Sequence, residues 1–526
     1  MTTHQYRTPG RNSRTHIVHL MMFALVAILR SAPATGQTGY EEIDRHAIAT
    51  PASAARSVTI LSAYLTRPYA RDDEKARAIF CWIAHNIAYD VDGYFSGAAS
   101  ASSSGDVLQS RSSVCAGYSS LFESLAREAG LAVVTINGYA KGFSYQPGDP
   151  VTGESNHAWN AVKIRGAWKL VDCTWGAGSV DNSHSFIRNY EPYYFFTDPG
   201  EFAYRHLPDD PKWQVLPRPL SRTEFQNLPF VFPVFFECAI KSTGQPGPVI
   251  EIAGEARLAF SLPADVRCMA DLTRNGVKID GAVFPQRTEN GVQIRVVPPS
   301  AGNFILNLYA KHDDGSDYFP IAASYKVVAR AGRSDNAFPR TYAPFMAKGV
   351  QLQSPGTLEL PSGSMQEFRL TVPGAEQVAV VNADEWDFLK KQDDQFDGLV
   401  EIGAGDVTVF AKFPHDKEYQ ALLEYKGTGS IKRAPSPVKF HDYMTTGAEL
   451  LSPPKKELAA QSRQLFRLKL PGARKAAVVC GDDWQFLQKN GEYYEGSILI
   501  GRGQITVMAA YNNTTDFVGL LEYVGY

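Results

Sequence analysis

An α+β domain followed by a row of all-β sandwich modules is the fold class this sequence predicts. Three observations carry that reading. Two stretches before residue 130 repeat apolar residues at helical steps, and strand-like runs follow them. From about Pro233 onward, short alternating segments separated by Pro and Gly turns take over, as in β-sandwiches. The last part of the chain also repeats itself. Trp386 matches Trp484, an offset of 98 residues, and the same offset joins Phe368 to Phe466 and Pro373-Gly374-Ala375 to Pro471-Gly472-Ala473. It also joins Met346 to Met444 and Leu423-Glu424-Tyr425 to Leu521-Glu522-Tyr523, which marks tandem modules.

Taken in order, the chain opens with Arg7, Arg11 and Arg14, an apolar run from Ile17 to Leu29, and the small residues Ser31-Ala32-Pro33-Ala34-Thr35-Gly36. That order spells a secretory signal peptide over residues 1–36, so export to the periplasm or the exterior is expected. A domain at 37–220 follows. Its first clear helix runs from Glu74 to Asp90, with Ile79, Trp82, Ile83 and Ile87 on one stripe and Cys81 off it. Ser96 to Ser113 is rich in Ser, Ala and Gly and reads as a loop. A second helix starts at Cys115, carries Leu121, Phe122, Leu125 and Ala129 on one face, and stops at Gly130. Val133–Gly138, His157–Ile164 and Ala167–Thr174 read as strands. Beyond them lie a divergent sandwich at 228–330 and the two repeats at 338–428 and 436–526. The repeat aromatics Trp386, Phe388, Trp484 and Phe486 are expected in the sandwich cores.

Composition narrows the function classes. The 526 residues carry 52 Lys+Arg against 55 Asp+Glu, a formal charge of −3, with no basic cluster downstream of the N-terminus. A nucleic-acid binder would need such a cluster, so no nucleic acid is expected as a partner. No run is long enough for stable membrane insertion. The six cysteines are scattered and form no CxxC pair, and His157 has no second ligand at zinc spacing, so neither a metal nor a cofactor is expected. Cys238 and Cys268 could pair within one module in an oxidising compartment.

Three residues of the first domain could do chemistry together. Cys115 follows a polar loop and opens a helix, where free N–H groups and the helix dipole favour a thiolate. Arg165-Gly166 reads as a two-residue hairpin turn, so Ile164 faces Ala167, and His157 and Asp172 become diagonal neighbours on one face. A carboxylate there can fix the imidazole tautomer and leave the other nitrogen to a thiol. Gln109, ahead of Cys115, could add a side-chain donor for a developing oxyanion. Cys81 and Cys173 read as structural, the latter because the pleat turns it away from Asp172.

These residues stand in recognisable motifs. Ser113-Val-Cys115-Ala-Gly-Tyr118, Asn156-His157-Ala-Trp159-Asn160 and Trp168-Lys-Leu-Val-Asp172-Cys-Thr174-Trp175-Gly176 resemble the transglutaminase-like superfamily. Within it, they are most similar to the branch of the kyphoscoliosis peptidase and hillarin. The helix around Arg77–Asp92, the Gly138–Gly142 and Phe196–Pro199 segments, and Asp210-Pro-Lys-Trp213 resemble further landmarks of that branch, so the likeness covers about residues 40–217. The resemblance implies a papain-like fold with Cys115 as nucleophile, His157 as general base and Asp172 as its orienting partner. It implies immunoglobulin-like character for the sandwiches. It also implies a cysteine peptidase, another hydrolase or an acyltransferase acting on protein amides through a thioester. The alternative within the same family is a non-catalytic adaptor that binds proteins or envelope polymers.

Overall fold

Three helices begin the first domain: α1 (Glu41–Ile48), α2 (Val58–Thr66) and α3 (Asp72–Asn86). The structure, a computed structural model, describes residues 39–526 apart from 98–100, 182, 245–246, 314, 317, 334–336, 384, 434 and 512–515. The signal peptide expected at 1–36 lies outside the described residues. Helix α3 differs from the one-sided stripe read from its sequence: residues 76–84 are all buried, Cys81 included. The reason is its place, since α1, α2 and the later α6 and α7 pack around it. Arg77 is tolerated inside because its guanidinium forms a two-pronged pair with Asp44, at 2.8 and 2.6 Å.

Next come β1 (Ala88–Tyr89), α4 (Val91–Ser96), α5 (Ser104–Ser110), β2 (Ser112–Ser113) and α6 (Cys115–Glu128). The Ser-rich stretch expected as a loop thus contains the end of α4 and the whole of α5. Ser103 explains it: its side chain accepts the Asp106 N–H and caps the helix. Composition sees serine as a loop former, and position makes this one a cap. Strand β1 pairs in parallel with β2, Tyr89 opposite Ser113, which fixes the approach to Cys115. Gly117 in the first turn of α6 has no room for a side chain, because a Cβ would meet Ser113 Oγ at 2.0 Å and the Ala101 carbonyl at 2.6 Å.

The sheet is built from β3 (Val133–Ala140), β4 (His157–Ile164) and β5 (Ala167–Val171), followed by α7 (Cys173–Ala177), β6 (Gly178–Val180) and β7 (Phe186–Arg188). Then follow β8 (Phe195–Thr197), α8 (Pro199–Phe202) and β9 (His206–Pro208). The order is β8-β5-β4-β3-β9, and the neighbouring strands are antiparallel. Helix α6 lies on this sheet, placing Leu121, Phe122 and Leu125 in one core with Ile136, Trp159 and Ala161. The hairpin has the register read from the sequence: Ile164 faces Ala167 and Asn160 faces Val171, around Arg165 and Gly166 at φ +49° and +86°. The strand ends earlier than expected. After Val171 the chain turns, and Asp172 becomes the N-cap of α7, accepting the Thr174 and Trp175 N–H groups.

Three sandwich modules follow, each a six-stranded sheet facing a four-stranded one with the same strand order. The tandem repeats agree in detail. Tyr425 donates to the Pro355 carbonyl and Tyr523 to the Pro453 carbonyl, both at 3.0 Å, and Phe368 and Phe466 are fully buried beside them. Irregularities in pairing recur at Val409/Phe410 and Val507/Met508. Cys238 and Cys268 share the core of the first sandwich as free thiols and are not joined.

The repeat aromatics are not in the cores. Trp386 and Phe388 pair with Val381 and Ala379 and share the outer face of the sheet with Phe410, opposite the buried Val407 and Val409. In the last module Trp484 and Phe486 are 41% and 58% exposed. The pleat decides this, since Val378 and Val380 already fill the inward positions.

Candidate active site

Each element delivers one functional side chain. Cys115 is the first residue of α6, where the N–H groups of a helix's first turn have no intrahelical partner. His157 is the first residue of β4, and Asp172 caps α7 directly after β5. Asn160, fully buried on β4, donates to the Ser119 carbonyl of α6 at 3.0 Å and so locks the histidine strand to the cysteine helix. The sequence-predicted trio therefore converges. His157 Nε2 lies 2.7 Å from Asp172 Oδ2, and the imidazole also hydrogen-bonds the Cys115 thiol.

Asp172 is completely buried, and its charge is satisfied from both sides. Oδ1 accepts the Thr174 N–H at 2.9 Å and the Trp175 N–H at 3.0 Å. Oδ2 is approached by two histidines, His157 and, at 3.0 Å, His206 Nε2. Burial opposes the charge, yet the two histidines hold the carboxyl well below its usual range. Burial likewise opposes an imidazolium at His157, and the Asp172 charge together with the Cys115 hydrogen bond overrides it and raises the group. Cys115 is half-buried. Its burial works against a thiolate, but the hydrogen bond and charge of His157, with the Ala158 N–H, pull the thiol below its ordinary value. Both shifts run in the direction of a thiolate–imidazolium pair.

His206 is the participant that sequence reasoning missed. It sits on β9, brought beside β3 by the pairing of Ala140 with His206. Nothing local marks it, because it lies far along the chain from Asp172. Burial and the nearby charges of His157 and Arg205 push it down to about 4, so it is neutral and donates its Nε2–H to Asp172. Its ring stacks on Phe202 at 3.8 Å and lies 4.3 Å from Trp175. No second ligand stands at zinc spacing from His157 in the sequence, and it is the fold that brings His206 beside it, ring centres 5.6 Å apart. Side-chain atoms of His157, Asp172 and His206 lie within 4.8 Å of one another. Both Nε2 atoms are already turned onto the same carboxylate oxygen, an arrangement of hydrogen bonds rather than of lone pairs aimed at one ion.

The remaining residues fall outside this cluster. Gln109 is exposed on α5. Cys173 points into the core, where burial and the Asp172 charge push its thiol well up, and Cys81 is raised by burial as well. No helix among the described residues is long and apolar enough to cross a membrane.

Comparison with known proteins agrees with these motifs. The family model described as transglutaminase-like superfamily matches residues 60–173, and the one described as KY-like, immunoglobulin-like domain matches residues 222–340. The kyphoscoliosis peptidase of Mus musculus is 28% identical over 500 residues, covering 86% of this chain and 72% of its own length. Hillarin of Drosophila melanogaster is 31% identical over 309 residues, covering 53% of this chain and 37% of its own. The Lim and transglutaminase domain protein ltd-1 of Caenorhabditis elegans is 29% identical over 325 residues, covering 56% and 44%.

Proposed function

We propose that this chain, a transglutaminase-like protein of the kyphoscoliosis peptidase and hillarin branch, is a cysteine enzyme acting on amide or peptide bonds of proteins. The observation that carries the proposal is the hydrogen-bonded Cys115–His157–Asp172 chain, with the thiol lowered and the imidazole raised. The Cys115 thiolate attacks a carboxamide or peptide carbonyl, and the tetrahedral oxyanion is met by the first-turn N–H groups of α6. His157 then gives its proton to the departing ammonia or amine, leaving a thioester on Cys115. In the second half the neutral imidazole takes a proton from the incoming amine or water, and the thioester opens. Asp172 keeps the imidazole oriented throughout. No step draws on a metal or a cofactor. The sandwich modules, with outward-facing aromatics, bring protein partners to the enzyme, and residues 1–36 direct the chain to export.

Alkylation of Cys115 by iodoacetamide, followed against pH in the wild type and in His157→Ala, tests this reading. Reaction well below the ordinary thiol range of about 8.5, lost in the variant, is the expected result. Incorporation of a fluorescent primary amine into dimethylated casein, or peptide release from it, should stop in Cys115→Ala. Equal turnover in that variant would overturn the proposal and leave the adaptor reading, which the exposed Trp484 and Phe486 favour.

A further inference from the structure

Large aromatic side chains stand exposed on one side of the first domain. Tyr94 and Phe95 project from α4, Phe143 from the loop after β3, and His184 from the turn between β6 and β7. Tyr94, Phe95 and Phe143 are 47%, 45% and 44% exposed. They nevertheless touch: Phe95 stacks on His184 at 4.1 Å, meets Tyr94 at 5.1 Å and meets Phe143 edge-on at 6.0 Å. Three segments remote in sequence thus build one continuous apolar surface, larger than scattered surface aromatics require.

The surface joins the reactive thiol along two routes. On one side Tyr94 meets Tyr89 at 5.8 Å. Tyr89 pairs with Ser113, two positions before Cys115, and its phenol feels the Cys115 charge. On the other side, Gly142 packs over Trp175, with the site of its Cβ 3.8 Å from that indole, and Trp175 stacks on His157 at 5.2 Å. Two chains of contact thus run from the aromatic surface to the residues around the thiol. Asp92 on α4 and Asp181 at the base of the His184 turn add negative charge beside it.

We infer that this surface is a substrate subsite that receives a large apolar side chain, aromatic or leucine-like, flanking the carbonyl that Cys115 attacks, and that it disfavours acidic neighbours. The inference rests on the proposed function and names the class of protein segment it would act on. The occupant is a substrate chain because these contacts lead from the surface to the residues flanking the nucleophile, and a carbonyl held at Cys115 brings its neighbouring residues with it. Edge and face contacts of the kind Phe95 and Phe143 already make would accept another ring.

Two active-site labels test it: N-chloroacetyl-phenylalanine methylamide and N-chloroacetyl-glutamate methylamide. In both, the Cys115 thiolate displaces chloride and forms a thioether, so only the flanking side chain differs. Each rate is divided by the rate of iodoacetamide with the same protein, which removes differences in thiolate content. The wild type should favour the phenylalanine label by about tenfold, the order expected for partial burial of one aromatic side chain. In Phe95→Ser with Phe143→Ser the preference should collapse, and Phe143→Leu should keep most of it. Equal normalised rates for the two labels in the wild type, or a preference that survives the double substitution, would overturn the inference alone. If iodoacetamide itself finds Cys115 an ordinary thiol, the proposed function falls and takes the subsite with it.

Discussion

The first domain and the sandwich modules distribute polarity in opposite ways. Among the described residues, the buried polar side chains beyond residue 220 are Lys311, Ser324 and Asn382, while the first domain buries His157, Asp172 and His206 within one hydrogen-bonded cluster. The modules instead fill their interiors with residues such as Phe466, Leu468 and Tyr523 and carry aromatics outside. Burying polar groups costs stability unless each finds a partner, and here most do. A domain that accumulates such groups at one point concentrates chemistry. A module that avoids them concentrates stability and repetition.

Substitutions can break this contrast, starting with the largest effect. Cys115→Ala should abolish turnover on dimethylated casein while thermal unfolding stays close to wild type, since the thiol is only half-buried. His157→Ala should lower turnover by about 10²–10⁴, the usual range for a general acid–base group. Its alkylation profile should also move to alkaline pH. The sign follows from the partners: once the imidazole is gone, burial and the Asp172 charge both oppose the thiolate.

Phe466→Ala should destabilise the last module by about 3–5 kcal/mol and leave Cys115 alkylation untouched, read by denaturant unfolding beside the alkylation assay. His206→Leu removes one donor from Asp172, so the carboxylate acts more fully on His157. The imidazolium should then persist to higher pH, moving the alkaline limb of the rate profile upward; an unmoved limb would make His206 merely a packing residue. The smallest effect belongs to Trp484→Ser. Stability should change within about 0.5 kcal/mol, because the side chain stands on an outer face. A larger loss would mean that the outer aromatics brace the module after all.

Much of the fold and of the arrangement of Cys115, His157 and Asp172 is legible in the amino-acid sequence. The hairpin register follows from two residues, Arg165 and Gly166, because pairing in a tight hairpin leaves no freedom. The start of α6 at Cys115 follows from its loop and stripe, and the repeat offset reveals paired modules down to the Tyr425 and Tyr523 hydrogen bonds. Position-dependent features are harder to read. Ser103 has the composition of a loop and acts as a cap, and Asp172 continues a strand pattern yet turns into a helix. Trp386 and Trp484 have the character of core residues, but the pleat gives the inward places to valines. His206 reaches Asp172 only through the β3–β9 pairing, a tertiary contact that no local pattern announces.

The double duty of Asp172 has an evolutionary consequence. Its carboxylate orients His157 and also caps α7, so removing it would loosen the fold as well as the chemistry. Cys115 carries no comparable structural role, since its thiol bonds within the reactive pair and to one N–H. A relative without catalysis would feel selection to keep Asp172 and would be free to drift at Cys115. Among relatives of this chain, an intact aspartate therefore testifies to folding, and the identity of the residue at the head of α6 is the better witness to a living reaction.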